Sequence, residues 1–225
     1  TATVRDELVE FTDIRAEQVA VVPLGVSSAF HPHDIDGLRP ILSRFGLEPG
    51  YGLCVSTMEP RKRIDCLIRA WSDLPRVLRD TTPLVLCGPK GWLNDELHAL
   101  IERGQAEGWL RFLDFVAETD LPSLYAGAGL FVYPSIYEGF GLPPIEAMAS
   151  GVPTIASNAS CLPEVCGGAA LHVAPEDHGA FTRAIERGLT DHAWRAGAAA
   201  AGLMRAASLD WQQCVNRTVD VYKTL

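Results

Sequence analysis

The sequence predicts an α/β domain whose parallel sheet carries helices on both faces, a doubly wound arrangement. Three observations lead there. Short, near-continuous apolar runs recur along the chain, as expected of strands covered on both faces. Amphipathic stretches of helical period separate them, and strand–helix–strand repetition implies right-handed crossovers in one parallel sheet. The chain has 225 residues, 48% of them hydrophobic and 21% charged, which suits one large domain with an ample core.

Seven segments read as strands: 19–24, 53–56, 83–87, 110–115, 130–133, 153–156 and 169–173. Residues 19–24 run Val-Ala-Val-Val-Pro-Leu and stop at Gly25. Residues 1–18 read as a connecting segment, and 30–50 as loop and helix. Ile64, Leu67, Ile68 and Trp71 form an i, i+3, i+4, i+7 stripe. Leu97, Leu100 and Ile101 repeat it behind Asn94, a suitable N-cap. Further helices are expected over 120–126, 176–189, 191–207 and 209–222, the last closing the chain over 209–225. There is no internal repeat and no linker, so 1–225 reads as a single domain.

Charge narrows the function. Nineteen Lys+Arg against 28 Asp+Glu give a net charge of −9, which argues against nucleic acid as a partner. No apolar run approaches the ~20 residues of a bilayer span. The six cysteines lack zinc-site spacing and read as buried reduced thiols, with a Cys161–Cys166 disulfide as the alternative. His31-Pro32-His33-Asp34 has no third ligand pattern and reads as surface loop. Gly127-Ala128-Gly129 starts a dinucleotide fingerprint, but Val132 replaces its third glycine and the run precedes a strand. The start at Thr1 rather than Met reads as that of a fragment.

In a doubly wound sheet, ligands sit at the carboxyl ends of the strands. Three loops there hold unusual residues. Thr57-Met58-Glu59-Pro60-Arg61-Lys62-Arg63 packs three cations into a strand-to-helix loop of an acidic chain, and Arg61 and Lys62 suit a diphosphate near a helix N-terminus. Gly88-Pro89-Lys90-Gly91-Trp92 allows close backbone approach and adds a charge. Residues 134–151 carry Glu138, then Gly139-Phe140-Gly141-Leu142, then Pro143-Pro144 to open a helix and Gly151 to end it. Glu146 is expected in that helix's first turn, so that two carboxylates with seven residues between them face one cleft and can accept hydrogen bonds from sugar hydroxyls.

Glu138-x7-Glu146 around Gly-Phe-Gly-Leu-Pro resembles the hallmark of retaining glycosyltransferases of family 4, which have the GT-B fold of two Rossmann-like domains. Val21-Val22-Pro23-Leu24-Gly25-Val26, Thr57-Met58-Glu59-Pro60-Arg61-Lys62, residues 149–157, Leu162-Pro163-Glu164-Val165, Trp211 and Tyr222 continue the likeness in order, covering roughly residues 19 to 225. The second of these resembles a mannosyltransferase-rich branch of bacterial polysaccharide synthesis. Many members carry Gly-Arg where this chain has Ser56-Thr57.

The resemblance implies the C-terminal, donor-binding half of such an enzyme, with an acceptor-binding N-terminal domain absent from these residues. It implies that Arg61 and Lys62 grip the donor diphosphate and that Glu146 holds the ribose. Glu138 then lies beside the transferred sugar, the backbone of Phe140, Gly141 and Leu142 wraps sugar and phosphate, and Gly88 and Val116 line the nucleoside pocket. No metal or other cofactor is implied, only a nucleotide-sugar donor such as GDP-mannose. A cytoplasmic location follows, with peripheral association at the inner face of the plasma membrane through the missing domain as a compatible extension. A separate non-catalytic donor-binding subunit and a GT-B sugar-nucleotide epimerase remain open as alternatives.

Overall fold

The computed structural model describes residues 1–91 and 95–224. Six parallel strands form one sheet: β1 (Gly52–Val55), β2 (Leu84–Cys87), β3 (Leu110–Leu113), β4 (Leu130–Tyr133), β5 (Thr154–Ser157) and β6 (Ala170–Val173), in the order β3-β2-β1-β4-β5-β6. The chain first builds outward from β1 to β3, then returns to lay β4 on the other side of β1. β1 and β4 therefore flank the reversal point, where such sheets hold ligands. Their register pairs Gly52 with Leu130 and Leu53 with Phe131.

Six of the seven expected strands are present. β2 and β4 are buried at every position, in keeping with continuous apolar runs. Residues 19–24 are not a strand. Val26 instead makes an isolated parallel bridge to Asp210, its N–H donating to the Leu209 carbonyl at 3.0 Å. β1 already has β2 and β4 as neighbours, and this segment lies instead by the α10–α11 junction. Gly25 makes that contact possible, because a Cβ there would stand 2.2 Å from the Trp211 amide nitrogen.

Eleven helices are described. α1 (Ala2–Phe11), α2 (Ile35–Leu42), α3 (Ile64–Ser72), α4 (Arg76–Thr81), α5 (Asp95–Ala106) and α6 (Leu121–Gly127) precede β4. α7 (Leu142–Ala149), α8 (Leu162–Cys166), α9 (His178–Thr190), α10 (His192–Ala207) and α11 (Trp211–Lys223) follow it. The α3 stripe is buried at Ile64, Leu67, Ile68 and Trp71. Asn94, the expected cap of α5, and Trp92 lie outside the described residues. Asp177, Asp191 and Asp210 cap α9, α10 and α11 by accepting from the backbone N–H groups of Ala180, Trp194 and Gln212. α7 ends as the sequence implies: Gly151 takes φ +75° and donates to the Met148 carbonyl, while Val152 donates to Ala147.

All six cysteines are free thiols, so Cys161 and Cys166 are not bridged. Burial raises Cys54 to about 12 and Cys87 to about 11. Among the described residues, no helix is long and apolar enough to cross a membrane. Nor, among them, does any cluster of three or more His, Cys, Asp or Glu side chains suit a metal ion.

Candidate functional site

The loops after β1 and β4 meet across the reversal point. Beyond β1 the chain makes a single 3-10 turn over Pro60–Lys62, with Arg63 in the left-handed region before α3 begins. That turn accepts the next loop's backbone, Ile136 N–H donating to the Arg61 carbonyl at 3.0 Å. Arg61 also donates to the Tyr137 carbonyl. Two segments more than seventy residues apart in sequence are thereby fixed against each other.

Lys62 and Glu138 are brought together by this contact. Lys62 Nζ lies 2.6 Å from Glu138 Oε1 and donates to the Tyr133 hydroxyl at 2.8 Å. The Tyr133 hydroxyl donates in turn to Glu138 Oε1 at 2.9 Å. Arg61 Nη1 stands 3.3 Å from Glu138 Oε2, and its Nη2 is 2.6 Å from Glu59 Oε1. Lys62 is 8% exposed and Glu138 9%, so this is a buried pair that needs its hydrogen bonds. Burial works against the ionised Glu138, but the hydrogen bond and charge of Lys62, with the hydrogen bond from Tyr133, outweigh it and hold the carboxyl below the usual range. That contribution to stability is present above the ordinary glutamate range and is lost as pH falls through the lowered value.

The Glu138 loop is braced from behind. Ser160, in the left-handed region at φ +52°, donates to the Glu138 carbonyl at 2.9 Å and accepts from its N–H at 3.3 Å. Cys161 Sγ lies 3.0 Å from the same carbonyl and 3.3 Å from that of Phe140. Helix α1 holds the residues on either side, with Thr1 Oγ1 donating to Gly139 and Tyr137 to Glu7. Gly141 takes φ +92° as the N-cap of α7, so Phe140, Gly141 and Leu142 form the entry to that helix, with its amide end toward the loop.

Beneath lies a cleft of about 350 Å³ at the ends of β1 to β4, lined by Lys62, Gly88, Val116, Tyr133, Phe115 and Pro143 among others. Its volume falls in the range of small-molecule sites. Gly88 has φ +135°, and a Cβ there would lie 2.2 Å from the Ser56 carbonyl oxygen. Phe115, 83% exposed, presents an apolar face at the rim. A second cleft of about 300 Å³ beyond the Pro60–Lys62 turn is lined by Glu59, Asp65 and Glu96 with Arg63 as its cation. Three carboxylates make it a poor host for an anion.

Glu146 differs from expectation in one respect. α7 begins at Leu142, so Glu146 lies in its second turn, because both prolines fall within the first. It is half-buried. Burial raises its carboxyl above the usual range; the Glu118 charge adds to this, and the Tyr125 hydroxyl opposes it. That hydroxyl is itself buried and has no partner at hydrogen-bonding distance. A folded-state value above the unfolded one favours stability at low pH and is lost as pH rises through it, leaving the ionised carboxylate a net cost at neutrality. Glu146→Gln is therefore expected to raise unfolding stability at pH 7 while weakening ligands that offer it hydroxyls. Urea unfolding of the two proteins checks this.

Lys62, Gly88 and Val116 thus share one cleft; Glu138 joins it through its pair with Lys62 and Arg61 through Glu138, while Phe140, Gly141, Leu142 and Glu146 are not among its lining residues. Tyr133, Ser160 and Cys161 were not singled out by the sequence. Tyr133 ends an apolar run and reads as core; its one signal is a hydroxyl at the carboxyl end of a strand.

The family described as glycosyl transferases group 1 matches residues 43–202. The chain is 43% identical over 222 residues to the O-antigen chain mannosyltransferase B of Escherichia coli, covering 98% of this chain and 58% of that protein. It is 35% identical over 240 residues to the D-inositol 3-phosphate glycosyltransferase of Salinispora tropica, covering 99% of this chain and 49% of the relative. The chain thus spans about half the length of these curated relatives. Among solved structures, the sucrose-phosphate synthase of Thermosynechococcus elongatus superposes with a TM-score of 0.84 at 25% identity, over 100% of this chain and 56% of that one. Anabaena HepE in complex with UDP and glucose gives 0.86 at 22%, over 98% and 61%, a likeness of fold.

Proposed function

The chain belongs to the glycosyl transferases group 1 family, and on that premise we propose that it is the donor-binding half of a retaining glycosyltransferase, taking a nucleoside-diphosphate sugar at the ends of β1 to β4. The observation that carries this reading is the pair of cations, Arg61 and Lys62, on a loop above an open cleft at the sheet's reversal point. The nucleoside enters between Gly88 and Val116, its ribose hydroxyls donate to Glu146, and the diphosphate reaches Lys62 and Arg61. Departure of the sugar leaves charge on the diphosphate, which these fixed cations and the α7 amide end stabilise. They fill the role that a divalent ion has in other sites, so no metal is required. Glu138 lies beside the transferred sugar, and the remainder of the longer protein binds the acceptor.

The mannosyltransferase relatives favour mannose as the transferred sugar, with GDP-mannose the donor that the resemblance implies, and O-antigen or related polysaccharide synthesis as the setting. The work is then cytoplasmic, on the membrane face where such chains grow. A thermal-shift panel of GDP-mannose, UDP-glucose and ADP-glucose tests the reading. A matching donor at a hundredfold excess over its dissociation constant stabilises the fold by about 2.7 kcal/mol. No shift with any of them refutes it.

A further inference from the structure

The Tyr133 hydroxyl stands where Lys62 and Glu138 meet. Its side chain, 1% exposed, rises from the last residue of β4, its ring stacked on Phe131 at 6.1 Å. Lys62 Nζ donates to it at 2.8 Å and to Glu138 Oε1 at 2.6 Å, and the hydroxyl closes the triangle to Oε1 at 2.9 Å. The ammonium also lies 5.2 Å from the ring centroid. Burial and the neighbouring Glu138 charge push the phenol far up, so it stays protonated and neutral.

In this arrangement the site is internally neutralised. Lys62 is held by Glu138 and Tyr133, while Arg61 is shared among Glu59, Glu138 and the Tyr137 carbonyl. An incoming diphosphate and the Glu138 carboxylate are both anions that accept from one ammonium, so they compete for it. Tyr133 does not compete. It is uncharged and anchored on a strand, whereas Lys62 and Glu138 sit on a turn and a loop.

We propose that Tyr133 is a positioning residue of the donor site: it holds the Lys62 ammonium in the cleft while the donor's diphosphate takes the place of Glu138, and the carboxylate so released turns to the transferred sugar. This rests on the donor-site reading above. Glu138 is then a built-in occupant of the phosphate subsite, and its release is coupled to the arrival of the group whose departure it attends.

The test is calorimetric titration of wild type, Glu138→Gln, Tyr133→Phe and the double variant with GDP, inorganic pyrophosphate and guanosine. Ligand-free melting curves establish that each variant is folded. Glu138→Gln keeps the shape and removes the competing charge, so GDP and pyrophosphate bind about tenfold more tightly. Tyr133→Phe keeps the ring and loses the hydroxyl, so both bind several-fold more weakly, and guanosine binds all four proteins alike. The decisive comparison is Tyr133→Phe within Glu138→Gln. A loss that persists there shows that Tyr133 acts on Lys62 directly; no loss there overturns the proposal, as does unchanged or weaker GDP binding by Glu138→Gln. If wild type binds GDP but Glu138→Gln does not improve it, the exchange alone fails. If no protein binds GDP or pyrophosphate, the donor-site reading fails and the exchange with it.

Discussion

Lys62→Ala is expected to lower unfolding stability by about 3 kcal/mol and to weaken GDP at least tenfold. Both effects have one source. Glu138 is buried and its carboxylate is compensated chiefly by Lys62 at 2.6 Å. Removing one partner of a buried pair strands the other, at a cost of about 3–5 kcal/mol. Arg61 remains 3.3 Å from Glu138 Oε2 and Tyr133 still donates to Oε1, which places the loss at the lower end. A charge-assisted contact to phosphate contributes a further 1.5–3 kcal/mol or so to binding. Urea unfolding and calorimetry read the two effects separately. Wild-type stability in the variant would show that the Lys62–Glu138 pair does not hold the two loops together.

Gly88→Ala is expected to destabilise the fold by about 4 kcal/mol and to abolish binding in the cleft. At φ +135° an alanine carries backbone strain of about 1–3 kcal/mol. Its Cβ would also stand 2.2 Å from the Ser56 carbonyl oxygen and 2.8 Å from the carbonyl carbon, backbone atoms of the neighbouring strand's end. Relieving that overlap requires β1 and β2 to part at their carboxyl ends, an overpacking cost of another 1–3 kcal/mol or so. Ser56 N–H donates to the Cys87 carbonyl at 2.8 Å, so the shift would break the last rung of the ladder. A melting temperature within a few degrees of wild type would mean that the close approach of these two loops is not required.

The sheet was legible because buried parallel strands announce themselves as apolar runs, and 130–133 was read with its observed bounds. Residues 19–24 have the same composition but not the same place. An apolar run does not by itself say that a segment is buried: Ala20 is exposed, Val19 and residues 21–24 are half-buried, and only Gly25 is buried, against the α10–α11 junction. Glu146 lies in the second turn rather than the first because the prolines mark a helix start without fixing it: α7 begins at Leu142, before either of them. The cations and carboxylates were legible as unusual choices at strand ends. Their pairing was not, since Lys62 and Glu138 are separated by 76 positions and meet only because β4 returns to lie beside β1. Tyr133 was invisible for the opposite reason: on a continuous apolar strand, an aromatic reads as core.

A structure of the chain with GDP bound tests the central claim most directly. The account predicts the β-phosphate within hydrogen-bonding distance of Lys62 Nζ, the ribose against Glu146 and the base between Gly88 and Val116. A nucleotide seated instead in the neighbouring cleft beside Arg63 and Glu96, with Lys62 still on Glu138, would contradict it.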